Sequence, residues 1–194
     1  MEAPGGDSQP IRVESSMDLL IALLYAPGKR ETEAEPIEGI TRLQKLLFLL
    51  QQDVGPKQLV KEAYDFKPYK MGPYSDQLRN DLEELVSAGI VVTDRLQYLL
   101  SDDADVSRSE DAEVDSPSRK TKRVESLKYS LSDDLGRAIG KDLWESLSPE
   151  DREALTEFKG LFNLLSLRQL LIFTYEKFPA YTEASTIKSQ LGLA

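Results

Sequence analysis

Two strand-like runs, RLQYLL at 95–100 and ESLKYSL at 125–131, flank a stretch at 101–124 with no aromatic residue and no Leu, Ile or Met. Such a stretch, SDDADVSRSEDAEVDSPSRKTKRV, cannot bury enough apolar surface to offset the entropy of ordering it, and reads as a floppy hairpin tip. A helix stands directly before the pair. In SDQLRNDLEELVSAG, Ser75 is the predicted cap, Leu78, Leu82 and Leu85 with Val86 form an apolar stripe, and Ala88-Gly89 is the stop. A helix followed by two strands that share an extended tip is what a winged helix-turn-helix domain provides. The expected fold is mainly α with a small antiparallel β-wing, a winged helix-turn-helix-like domain with C-terminal helices added.

The remaining elements follow from start and stop signals. Residues 1–14 carry Pro, Gly and acid without period and read as a flexible tail. SSMDLLIALLYAPG is a helix capped by Ser15 or Ser16 and stopped at Pro27-Gly28. ITRLQKLLFLLQQDVGP is a second helix, with Thr41 as the expected cap and Gly55-Pro56 as its end. Leu43, Leu46, Leu47 and Leu50 mark its buried face, and Phe48 with Leu49 widens that face enough to suggest burial on two sides. AYDFKPY alternates like a strand but contains Pro68, which makes it a short edge strand or an extended loop. GIVVTD is expected to end in a turn, and Ser132 to cap the helix after the second strand. Ser148-Pro149 opens a further helix, and Ser166 and Pro179 bound the last long one, with Trp144 expected in the core. The domain expected spans 15–135. The helices of 136–194 either pack against it or serve a homodimer.

Chemistry is narrowed mainly by what is missing. The chain has 194 residues and contains neither histidine nor cysteine, which removes the commonest general base, thiolate nucleophiles and the usual transition-metal ligands. No glycine loop able to cradle phosphate occurs, since Gly28-Lys29 lacks both the preceding glycine and the hydroxyl residue. The expectation is a non-enzyme with no catalytic residues, no metal and no cofactor. Acids outnumber bases by 34 to 24, a net charge of −10 that argues against broad attraction to DNA or to an anionic membrane. The apolar runs Leu46 to Leu50 and Leu19 to Ala26 are far shorter than the about 20 residues a bilayer requires. With no signal-like start, the expected location is cytoplasmic, with no membrane partner.

Local basic character nevertheless clusters around one turn. In FKPYKMGPYS, Gly72 can take positive φ and Pro73 can preset the entry into the third helix, with Phe66, Tyr69 and Tyr74 packing beneath. Lys67, Tyr69 and Lys70 fit a partner surface as well as a solvated turn. On the helix, Arg79 and Asn80 are competent base readers, with Gln77 nearby, but Glu83 and Glu84 would repel phosphates. Asp76 has a separate explanation in the helix dipole. SRKTKR places Arg119, Lys120, Lys122 and Arg123 on the wing, and Arg42 and Lys45 on the second helix are expected to face the side of Lys67 and Lys70. The bland alternative is a polar loop whose bases offset the acids before it.

RLQKLLFLLQ at 42–51, the aromatic-Gly-Pro-Tyr turn with its long helix, LKYSLSDDLGRAI, and LSLRQLLIFTYEKFPAYTEAS at 165–185 together resemble the YwgA-like prokaryotic proteins. They are similar, more distantly, to the SocA-type (Panacea) antitoxin domain. The resemblance implies a winged-helix-like fold and a regulatory or antitoxin-type role exercised by binding. Two functions are expected, the first of them leading. One is a DNA-binding transcriptional regulator that uses Arg42, Lys45, Lys67, Tyr69, Lys70, Arg79, Asn80, Arg119, Lys120, Lys122 and Arg123. The other is an antitoxin-like module that holds a protein partner, such as a toxin, on the same surface or on the C-terminal helices.

Overall fold

A computed structural model describes residues 13–28, 32–52, 63–100 and 122–193. Along the chain run α1 (Ser16–Tyr25), β1 (Ile37–Glu38), α2 (Ile40–Gln51), β2 (Lys67–Tyr69), β3 (Gly72–Tyr74), α3 (Asp76–Ser87), β4 (Val91–Leu100), β5 (Lys122–Leu131), α4 (Leu135–Ser146), α5 (Pro149–Phe162), α6 (Leu167–Lys177), a 3-10 turn at Pro179–Thr182 and α7 (Lys188–Leu191). The described chain is mainly helical, with a small antiparallel sheet of strand order β1-β5-β4 and a separate β2-β3 hairpin. Residues 1–12 of the expected tail (1–14), the Gly55-Pro56 stop and residues 101–121 of the expected tip (101–124) lie outside the described residues, whereas 122–124 are not part of a loose tip but pair with β4 as the start of β5.

Short-range capping chemistry sets several helix starts as the sequence predicts. The Ser15 hydroxyl accepts from Asp18 N while the Asp18 carboxylate accepts from Ser15 N, a reciprocal capping box. Ser166 and Gln169 repeat it at α6, and Ser148 with Pro149 opens α5. The start of α4 is looser. Asp134 is the cap by backbone angles, but the Ser132 hydroxyl does the capping work by accepting from Gly136 N at 2.8 Å. At the end of α3, Gly89 takes φ +70° and donates to Val86 O, and Ile90 N reaches back to Leu85 O. That pair of bonds is a Schellman closure, and it turns the chain directly into β4.

Three local expectations yield to tertiary contacts. Thr41 is not the cap of α2. It lies inside the helix and is buried, because the chain passes straight from β1 through Gly39, at φ +86°, whose N–H donates to Leu127 O on β5. No turn forms at Thr93-Asp94. β4 runs unbroken because Thr93 pairs with Tyr129 and Asp94 with Lys128, whose ammonium sits 3.0 Å from the Asp94 carboxylate. Pro73 does not open α3 either. It stands in β3, directly opposite Pro68 of β2, where a two-stranded ribbon tolerates the missing N–H groups.

One hydrophobic cluster joins elements from both ends of the chain. Leu19 to Leu24 of α1, Leu43 to Leu50 of α2, Leu78, Leu82 and Leu85 of α3, and Leu155, Phe158, Phe162 and Leu170 of α5 and α6 belong to it. α2 is buried on more than one side, as its widened apolar face implies, and even Gln44 and Lys45 are enclosed. These two polar side chains aim the next helix. Gln44 accepts from Ser75 N and donates to Ser75 O, both at 2.9 Å, while Lys45 Nζ donates to Pro73 O. Gly72 completes the fit, since its φ is +86° and a Cβ there would lie 2.8 Å from the Tyr175 ring. With Ser75 buried and its hydroxyl accepting from Leu78 N, Ser75→Ala is expected to cost about 1 kcal/mol. A urea midpoint shift at unchanged slope measures it.

Candidate binding face around α3

The predicted basic strip divides into an interior half and a surface half. Lys45 is only 2% exposed, so it cannot contact a nucleic acid backbone: α2 is enclosed on that side, and the ammonium is committed to Pro73 O. Arg42 is half-buried and spends its guanidinium on the Asn163 and Leu165 carbonyls, at 3.2 and 2.7 Å, tying α2 to the α5-α6 junction. Neither residue joins Lys67 and Lys70 on a shared face, contrary to the sequence-based expectation. Arg119 and Lys120 lie outside the described residues. Lys122 and Arg123 are placed as backbone in β5 opposite Leu100 and Leu99, and their side chains lie outside the description.

The surface half is contiguous. Tyr69 is 37% exposed and its ring lies 4.9 Å from that of Tyr74, while Lys70 Nζ sits 5.7 Å from the Tyr69 centroid. Lys67 is ion-paired with Asp76 in the first turn of α3, and that carboxylate raises the affinity of Lys67 for its proton. Arg79 meets Glu83 at 3.1 Å, one turn along. The Tyr74 hydroxyl first, and then Glu83, hold the Arg79 guanidinium above its ordinary value. Asn80 is exposed. The hairpin that presents these groups is braced from behind, because Thr186 N donates to Lys70 O at 2.9 Å.

Two of the three cations on this face are thus paired with carboxylates, while Lys70 lies against the Tyr69 ring. Lys67 faces Asp76 and Arg79 faces Glu83, and Asp81 and Glu84 add further acid to the helix. Burial raises the Asp81 carboxyl, a shift opposed by the Tyr64 hydroxyl.

Beside the face lies a feature the sequence reading missed. An open groove of about 500 Å³ runs between α3 and the sheet, with Leu82, Val86, Leu127 and Tyr129 as apolar lining and Arg79, Glu83, Ser87 and Thr93 as polar lining. Val86, expected on the buried stripe, is 36% exposed because it stands one turn after both Leu82 and Glu83, at the edge where the leucine stripe meets the Arg79, Glu83 row. A valine adjoining the Arg79, Glu83 row was the available signal. Thr93, Tyr129 and Leu127 reach the groove because alternate residues of paired strands share one face.

Among the described residues no grouping of carboxylates could hold a metal ion, and no helix is long and apolar enough to cross a membrane. Comparison with family models, with curated proteins and with solved structures finds no match.

Proposed function

We propose that the protein is a non-enzymatic, winged-helix-type interaction module that binds another polypeptide at α3 and the groove beside it. The order α1-β1-α2-α3-β4-β5, with the β2-β3 hairpin inserted between α2 and α3 and with β1 beside β5, supports the winged-helix assignment. In that frame α3 occupies the recognition position and β4-β5 is the wing. The observation that carries the polypeptide reading is that two of the face's three cations are already paired with its own acids. Lys67 is matched by Asp76 and Arg79 by Glu83, while the adjoining groove offers half-exposed Val86 over Leu82 and Leu127. A helix that entered the major groove would bring Glu83 and Glu84 against phosphates.

The DNA reading keeps one specific support, the basic run at 118–123, which a wing could carry to a phosphate backbone. A titration of generic 30-base-pair duplex at about 50 and about 200 mM salt separates the two. The polypeptide reading expects little retention and a nearly flat salt dependence. It also expects that a stoichiometric partner co-purified from the native cell is lost with Val86→Asp and kept with Lys70→Glu. Tight, steeply salt-dependent duplex binding that falls with Lys70→Glu and survives Val86→Asp would overturn it in favour of DNA.

A further inference from the structure

Away from the α3 face, α5 carries a lysine where its periodicity asks for an apolar residue. Lys159 lies one turn after Leu155, between Phe158 and Phe162 on the buried side, and is 0% exposed. Its Nζ donates to Leu24 O at 3.0 Å and to Ala26 O at 2.7 Å, the carbonyls at the end of α1. A neutral amine has two N–H donors, so these two acceptors use them all. A third proton would need a further acceptor. Glu35, in the connection leading to β1, has its Oε2 buried and without a hydrogen-bond partner.

We propose that Lys159 and Glu35 form a proton-operated latch: one proton taken from solvent by Lys159 Nζ draws the Glu35 carboxylate onto it and fastens the connection after α1 to α5. Burial pushes the Lys159 ammonium down to about 7, and Glu35 is the charged group opposing that shift. The other titratable groups near the end of α1 act on Tyr25 instead. The Tyr25 hydroxyl donates to Glu33 at 3.0 Å and is pushed up to about 12, first by burial and then by Glu33, with Glu145 and Arg137 of α4 as lesser influences. The Glu35 carboxylate also rests against Gly28, where any Cβ would collide with it, so the latch closes over a position that glycine keeps open.

The test is a titration of the Lys159 side-chain amine by heteronuclear NMR on the full chain from pH 5 to 11, in wild type and in Glu35→Gln. The latch expects a midpoint near neutrality in wild type and at least about tenfold weaker proton affinity in Glu35→Gln, one unit of midpoint. Trp144 is the chain's one tryptophan, 6.0 Å from Tyr25 by ring centroids, and its emission should change between pH 6 and 9 in wild type but not in Glu35→Gln. Stability supplies an independent sign. The unfolded lysine keeps its proton to about 10.5 while the folded one releases it near 7, so wild type should gain stability as pH rises from about 7 to about 10. Lys159→Met should lose that slope. A midpoint near 10.5, or one that Glu35→Gln leaves in place, overturns the latch.

Discussion

Phe48→Ala is expected to lower stability by about 4 kcal/mol, near the middle of the range for truncating a buried aromatic ring. Phe48 is fully buried on α2, and three rings meet it edge-on: Phe66 at 5.3 Å, Phe178 at 5.0 Å and Tyr181 at 4.7 Å. These come from the approach to the β2-β3 hairpin and from the segment after α6, so the cavity opens at a junction rather than inside one element. Such a site collapses poorly, because each neighbour is held by different backbone. The urea midpoint should fall steeply, and Phe48→Leu should recover most of the loss. A change below about 1 kcal/mol would mean that the C-terminal segment does not pack on α2 as described.

Gly136→Ala should cost about 3 kcal/mol, at the upper end of ordinary overpacking. A Cβ at this position would lie 2.1 Å from the Ile90 carbonyl oxygen, and that oxygen already accepts from Ser132 N at 2.9 Å. Neither rotamer change nor side-chain motion relieves a clash with backbone. α4 would have to move off the turn between α3 and β4. Gly160→Ala is the matched control. Nothing lies within 4 Å of its Cβ position in the last turn of α5, so the substitution should be tolerated and stabilise by up to about 0.5 kcal/mol through helix propensity alone. Thermal or urea unfolding of the two variants together separates a steric demand for glycine from an incidental one.

The local signals that succeeded act within one turn of chain. Ser75 to Gly89 bound α3 closely because a hydroxyl cap and a left-handed glycine satisfy backbone groups only a few residues away. Ser15, Ser148 and Ser166 work in the same way. The failures at Thr41, Pro73 and Thr93-Asp94 share the opposite cause. Each residue has a local preference that strand pairing overrules, from a distant strand at Thr41 and Thr93-Asp94 and from the neighbouring hairpin strand at Pro73. β5 captures Gly39 and Thr93, and β2 captures Pro73. Val86 failed differently, because one step around the helix separates the core row from the groove row.

The candidate site was half legible for a related reason. Charged residues are read from sequence as surface residues, which holds for Lys67, Lys70 and Arg79. It fails for Lys45 and Lys159, whose acceptors, Pro73 O and Leu24 O, lie 28 and 135 positions away along the chain. In α5 the anomaly was visible as a lysine on an apolar row. In α2 nothing distinguished Lys45, since every residue from Leu43 to Leu50 is buried and no polar row remains.

The amino-acid sequence by itself determined the helix-then-paired-strands order, the limits of α3, and a chemistry without histidine or cysteine, because capping, periodicity and composition are properties of neighbours and of counts. Only the tertiary structure decided which cations remain at the surface, where the groove opens, and that α1 and α5 meet over a buried lysine. Those outcomes depend on which distant carbonyl or carboxylate fills each donor's hydrogen-bond capacity, and no spacing along the chain encodes that distance.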